Sequence, residues 1–360
     1  MFNWNGKSLK IGNLTIRVPV IQGGMGIGIS LSGLAAAVAN EGGVGVLSTA
    51  GLGMLAENAR QTVRSRIDAL RRQIRKARTM TSGVLGVNIM VALSNFEDMV
   101  KTSIEEGVDI IFSGAGLPLN LPAFLREGCK TKLVPIVSSA KAVKIITKWW
   151  REKHRYVPDA FVVEGPLAGG HLGFKKDQID DPEYRLEKLV EDILGEVDKI
   201  ENEAGRNVPV IAAGGIYSGG DIRRFLGMGV SGVQMGTRFV ATEECDADRN
   251  FKQAYLDCRR EDIEIIDSPV GMPGRVIAND FVRGIRAGDK APLACPYHCI
   301  KTCKQEESPY CIASALINAY RGRLKNGFAF IGANGYRVDR IVTVSELFRA
   351  LENEYSDETT

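Results

Sequence analysis

Histidine is scarce: His154, His171 and His298 are the only three in 360 residues, so few side chains are available for imidazole acid–base chemistry near neutral pH. Charge of one sign is also missing. The 46 Lys and Arg against 43 Asp and Glu leave a net charge of +3, too balanced for a general attraction to nucleic acid or a membrane surface. No apolar run is long enough to span a bilayer. The weakly polar stretch 31–55 is interrupted by Asn40-Glu41 and rich in Gly and Ala, which marks a buried helix and strand. The opening residues, MFNWNGKSLKIG, lack a basic segment followed by an apolar one, so the default expectation is a cytoplasmic protein. The C-x2-C spacing of a zinc knuckle is absent as well.

What is present is a cadence. Eight short apolar runs bounded by Gly or Pro recur between residues 18 and 235: 18–21, 44–47, 84–89, 109–112, 133–137, 160–163, 208–212 and 232–235. Each is nearly all apolar, as expected of parallel strands buried on both faces. Between them lie helical patterns, the clearest an apolar stripe of Leu186, Leu189, Val190, Ile193, Leu194, Val197 and Ile200 on a charged background. EGGVGVLSTAG (41–51), EEGVDIIFSGAG (105–116) and GMGVSGVQMGT (227–237) repeat one grammar: helix end, glycine cap, strand, glycine-containing loop. Eight such alternations predict an α/β protein, a (β/α)8 TIM barrel in preference to an open doubly wound sheet. The expected division is a barrel over 1–260 and a smaller C-terminal cap or lid over 261–360. The residues beyond 240 would supply the last helix and then the cap.

In such a barrel the active site lies at the C-terminal ends of the strands. The residues placed there are Gly23, Gly24 and Met25 after the first strand, Asn88 at the end of the third, and Glu164, Gly169, Gly170 and His171 after the sixth. Gly214 and Gly215 follow the seventh, and Gln234, Met235, Gly236 and Thr237 lie at the end of the eighth. Glycines and small polar groups let backbone amides approach a flat polar ligand closely. The last two loops suit a phosphate, with Ser218 or Asp221 near a helix start. A flavin mononucleotide, FMN, meets both requirements better than a bare sugar phosphate.

Two other segments stand out. Residues 59–78 carry eight basic side chains against the single acid Asp68, either a solvated helix face or a docking site for an acidic carrier or a phosphate. Four of the seven cysteines fall within 295–311, as C-x3-C-x3-C-x7-C. On a helix, Cys295, Cys299 and Cys303 would share one face and, with Cys311, hold a metal, an iron–sulfur cluster ahead of zinc. The alternative is that they pack as small buried side chains. His154, in the charged REKHRY, is expected to be exposed and inert.

The motifs PVIQGGMG (19–26), GVN (86–88), AGGHLG (168–173), VIAAGGI (210–216) and GVQMGTRF (232–239) resemble those of the nitronate monooxygenase, or 2-nitropropane dioxygenase, family. That family also includes flavin-dependent enoyl-acyl carrier protein reductases and quinone reductases. The resemblance implies bound FMN, contacted at Asn88, Gly169, Gly215 and Gln234 to Thr237, with His171 facing the flavin and acting on the substrate. It implies oxidation of alkyl nitronates, with nitroalkanes as further substrates, by O2. The alternatives it leaves open are an NAD(P)H-dependent enoyl-acyl carrier protein or quinone reductase, with NAD(P)H as co-substrate and a carrier protein docked on 59–78. A non-catalytic flavin-binding electron-relay subunit is a third reading. The expected partners are a small-molecule substrate and, as an open possibility, further copies of the chain, with no nucleic acid and no membrane. One departure is visible: many members carry Gln where this chain has Glu164.

Overall fold

Residues of each apolar run alternate between two hydrophobic environments. In the sixth run Phe161 and Val163 point out toward the helices, while Ala160 and Val162 point in to a separate apolar cluster with Ile21, Val46, Phe112, Val134 and Ile211. Burial on both faces, about 1.5–3 kcal/mol for each large aliphatic side chain, makes these segments interior strands. The structure, a computed structural model, describes residues 7–55, 62–289, 295 and 297–357. The strands are β1 (Val20–Gln22), β2 (Gly45–Ser48), β3 (Leu85–Met90), β4 (Ile110–Gly114), β5 (Lys132–Val137), β6 (Phe161–Glu164), β7 (Val210–Ala213) and β8 (Gly232–Met235). They form one parallel eight-stranded sheet in which β1 pairs with β8 and each strand from β3 onward with its predecessor. A parallel bridge between Ile21 and Val44 closes it into the expected barrel. A hairpin of Leu9–Ile11 and Leu14–Ile16 adds Leu9, Ile11 and Ile16 to the interior cluster.

The glycine grammar has a backbone cause. Gly42, Gly107 and Gly229, the caps of the three repeated segments, have φ of 89°, 66° and 103°, values that side chains with a Cβ avoid. Helices α1 (Ser32–Asn40), α2 (Val63–Met80), α3 (Phe96–Glu105), α4 (Ala140–His154), α5 (Leu186–Ala204) and α6 (Gly219–Gly227) follow β1, β2, β3, β5, β6 and β7. The expected alternation fails after β4. There Pro118 and Pro122 interrupt any helix, and a 3-10 turn over Leu121–Phe124 takes its place. The fully buried Trp150 of α4 covers this region and donates its indole N–H to the Pro118 carbonyl at 3.0 Å.

The cap also departs from the expected order. It comes before the last barrel helix: residues 241–343 form an insertion, and the terminal helix Val344–Ser356 then returns to pack against α6 and α1. That helix starts in a capping box of Thr343 and Glu346. Its Glu354 accepts from Gly219 N–H and pairs with Arg238 at 2.9 Å. The insertion has its own core of Val276, Val282, Tyr310, Ile312, Ala315 and Phe328. It is tied to the barrel by a three-stranded antiparallel sheet of Ile263–Asp267, Pro273–Ile277 and Gly170–His171. Among the described residues, no helix is long and apolar enough to cross a membrane.

Candidate active site

A cavity of about 560 Å³ opens at the C-terminal ends of the strands, and each of the residues read from the sequence as surrounding a cofactor or substrate lines it. They are Gly23, Gly24, Met25, Asn88, Glu164, Gly169, Gly170, His171, Gly214, Gly215, Gln234, Met235, Gly236 and Thr237. Register explains the convergence: Glu164 is aligned with Ala213, and Ala213 with Gln234, on three adjacent strands. Gly24 has no room for a side chain, since a Cβ there would lie 2.3 Å from the Asn88 Cβ.

At one end of the cavity the backbone N–H groups of Gly215, Gly236 and Thr237 donate to no acceptor among the described residues. The Asn334 amide holds the Gly215 carbonyl from behind at 2.6 Å. Three free amides beside a threonine hydroxyl fit a phosphate. The start of α6 does not join them. Ser218 and Asp221 cap each other's backbone there, at 3.2 Å and 3.0 Å, and Glu354 takes the Gly219 N–H. The expected phosphate role of Ser218 or Asp221 is therefore replaced by a helix cap.

His171 lies on the short strand Gly170–His171, paired through Gly274 and Arg275 to the insertion. Its Nε2 shares a 2.7 Å hydrogen bond with the Ser268 hydroxyl, and its ring meets Phe330 edge-on at 4.9 Å. Burial lowers its pKa from 6.5 to about 4, so the imidazole is neutral at physiological pH. Beneath the same loop the buried Arg275 donates to the carbonyls of Pro166 and Ala168 at 2.6 and 2.7 Å. Glu164 follows Val163 on β6 and takes the inward parity of Val162. Burial raises its pKa from 4.5 to about 7.

The sequence reading missed the other half of the cavity. Ser268, which positions His171, and Phe330, Ile331, Gly332 and Asn334, which line the cavity, all belong to the insertion. FIGAN (330–334) does carry the same sign as the barrel loops, an apolar run ending in Gly and a polar residue. An apolar arm of Ile27, Met54, Leu93, Ile300, Ile312 and Leu316 completes the wall.

One expectation is corrected and another is narrowed. The segment with Cys295, Cys299 and Cys303 is not helical: Ile300 bridges to Leu93, and Ser94 N–H and Lys301 N–H bond across to Cys299 and Ala92. All four thiols are free, and only Cys299 of the four lines the cavity. Among the described residues no three His, Cys, Asp or Glu side chains form a group able to hold a metal. The basic segment is a helix with Arg64, Arg72, Arg75 and Lys76 exposed, as a solvated face requires, but part of its charge is paired. Residues 59–61 lie outside the described residues, but Arg71 and Arg75 pair with Glu105 and Glu106 at the end of α3, and Arg78 with Asp109. Arg66 is buried, bonded to the Tyr297 carbonyl. His154 is half-buried rather than exposed, with Nε2 unpartnered, and His298 is exposed.

The model of the nitronate monooxygenase family matches residues 7–354. A nitronate monooxygenase of Paraburkholderia phytofirmans is 28% identical over 333 residues, covering 82% of this chain and 83% of that protein. An octahydro-indene-carboxyl-CoA dehydrogenase of Mycobacterium tuberculosis is 29% identical over 276 residues, 77% of this chain and 67% of that protein. The structure of FabK from Thermotoga maritima superposes with a TM-score of 0.72 at 28% identity, covering 94% of this chain and 93% of that one.

Proposed function

The chain belongs to the nitronate monooxygenase family, a family of oxidoreductases, and on that premise we propose that it binds FMN and oxidises alkyl nitronates with O2. The observation that carries the reading is the division of the cavity. Free amides of Gly215, Gly236 and Thr237 stand at one end, and a neutral, anchored His171 stands beside the polar groups Asn88, Glu164 and Gln234. The phosphate of FMN would take the amides, and the strand-end glycines would let the ring system lie against backbone. The flavin, when bound, supplies the electron-accepting chemistry.

This chain's own residues position and shelter the substrate. His171 is held from both sides, by Ser268 at Nε2 and by Phe330 against the ring. Its Nδ1 is the free atom for hydrogen bonding a nitro or nitronate oxygen. The apolar arm takes the alkyl part and excludes water. Oxygen uptake dependent on added propyl-2-nitronate tests the proposal, and a rate no higher than that of free FMN would refute it.

A second reading rests on a specific observation. The similarity to FabK extends over nearly the whole of both chains, and the apolar arm suits an acyl chain as well as an alkyl nitronate. NAD(P)H oxidation with crotonyl thioesters or quinones separates this reductase reading from the first. In that reading an acidic carrier would meet only Arg64, Arg72 and Lys76, the exposed α2 cations without a salt bridge among the described residues.

A further inference from the structure

We infer that Glu164 couples the binding of an anionic ligand in this cavity to the uptake of one proton. The inference deepens the oxidoreductase reading, because an alkyl nitronate is an anion, and it begins from what the cavity wall does not contain. The ionisable residues lining it are Glu164, His171, Tyr217, Tyr255 and Cys299, and neither Lys, Arg nor Asp is among the described lining residues. A monoanion entering the cavity therefore meets no lining cation, and it meets one carboxyl.

The other four groups stay uncharged through the neutral range. His171 is held neutral by burial, with its pKa lowered to about 4. Burial raises Tyr217 and Tyr255, and Cys299 is pushed up to about 11, by burial and by the neighbouring thiols of Cys311, Cys295 and Cys303. The surroundings of Glu164 add no compensating charge. On one side β5 and its loop offer Ile136, Val137, Ser138 and Ser139, and on the other β7 offers Ala213. Arg275 lies under the loop rather than on the wall, its guanidinium bonded to two carbonyls, with Asp180 the acid that acts on it. Burial alone sets the proton affinity of Glu164, with a pKa of about 7.

Two anions side by side in an enclosed cavity repel strongly. The anion therefore binds to the protonated form of Glu164, and above neutrality each binding event takes a proton from solvent onto the Glu164 carboxylate. By linkage, affinity for an anion falls toward tenfold per pH unit above the pKa of the free site. Affinity for a neutral ligand of the same shape does not change.

Benzoate and benzamide are the probes, bound to the protein as purified with its cofactor and followed by calorimetry and by the visible spectrum. Between pH 6 and pH 8 the dissociation constant for benzoate is expected to rise about tenfold, with benzamide unchanged. In buffers of different ionisation enthalpy, proton uptake per benzoate should climb from near zero at pH 6 toward one at pH 8. Glu164→Gln, a neutral isostere of the protonated acid, should bind benzoate at pH 8 about as tightly as the unaltered protein does at pH 6. A benzoate affinity independent of pH, binding without proton uptake at pH 8, or an unchanged pH slope in Glu164→Gln would overturn the inference. The uptake measurement needs no variant, so a misfolded Glu164→Gln leaves the test intact. Because benzoate is not turned over, failure of nitronate oxidation would refute the substrate reading and leave this result standing.

Discussion

The barrel and the insertion after β8 build the two halves of one cavity by different means. The barrel contributes through local units: a strand ends, a glycine-containing loop turns, and backbone or a short polar group faces the ligand, as at Asn88, Gly215 and Thr237. The insertion contributes side chains that act at long range, with Ser268 reaching His171 across 97 positions of sequence. In the proposed reading the first half would hold the cofactor by its backbone, and the second would set which substrate meets it; the second also holds His171 through Ser268. Family motifs lie in the first half; the histidine's anchor comes from the second, and the apolar arm is shared, Ile27, Met54 and Leu93 from the barrel and Ile300, Ile312 and Leu316 from the insertion.

The sharpest way to break this division is at His171, where the halves meet. His171→Ala should lower nitronate turnover on the order of 10²-fold or more while leaving flavin content unchanged, measured by oxygen uptake and the visible spectrum of the same sample. Loss of flavin together with activity would show that the insertion side also holds the cofactor.

Next in size is the pH dependence of stability, to which the two half-buried groups Glu164 and His171 contribute with opposite sign. Glu164, raised from 4.5 to about 7, gives stability that is fully present below pH 4.5 and lost as pH rises through 7. His171, lowered from 6.5 to about 4, gives stability that is present above pH 6.5 and lost as pH falls through 4. Each shift corresponds to roughly 3 kcal/mol, and between pH 4.5 and 6.5 the two slopes cancel. Glu164→Gln should uncover the histidine slope, with denaturant stability rising from pH 4 to 6.5 and exceeding that of the unaltered protein by up to about 3 kcal/mol at pH 8. Identical pH profiles for the two proteins would contradict the burial of Glu164.

The Ser268 anchor is smaller. Ser268→Ala removes one hydrogen bond to the imidazole, worth about 1 kcal/mol, and should reduce turnover about fivefold with little change in thermal stability. An effect confined to KM would make Ser268 a substrate contact instead. Smallest is Cys303→Ser, expected to change stability by no more than about 0.5 kcal/mol. Cys295, Cys303 and Cys311 still lie near enough to Cys299 to raise its pKa, and Cys295 and Cys303 near enough to raise that of Cys311, so iron and acid-labile sulfide in protein purified without oxygen decide whether they hold a cluster.

How much of this the sequence discloses follows the same division. The eight strands are legible because each is buried on both faces, and the cofactor half because its glycines answer to local backbone needs. The missing helix after β4 was written in Pro118 and Pro122, but the strand count outweighed it. Two tertiary effects left no local trace. The α2 arginines look like a free cationic face until α3 brings Glu105 and Glu106 beside them. The cysteine spacing of four suits a helix face until Leu93 claims Ile300 for a bridge and His298 takes a φ of 42°. Ser268 could be found only through its partner, since SPVGMPGR has no feature that separates it from an ordinary turn.

The placement of the terminal helix sets an order of assembly. Val344–Ser356 packs on α6 and on α1, so the barrel wall is finished by an element that follows all eight strands and the whole insertion in sequence. A growing chain has produced all eight strands and the whole insertion before that helix emerges, and until then the groove between α1 and α6 lies open to solvent. A truncation short of residue 344 would keep all eight strands and remove the cover over the apolar sides of α1 and α6.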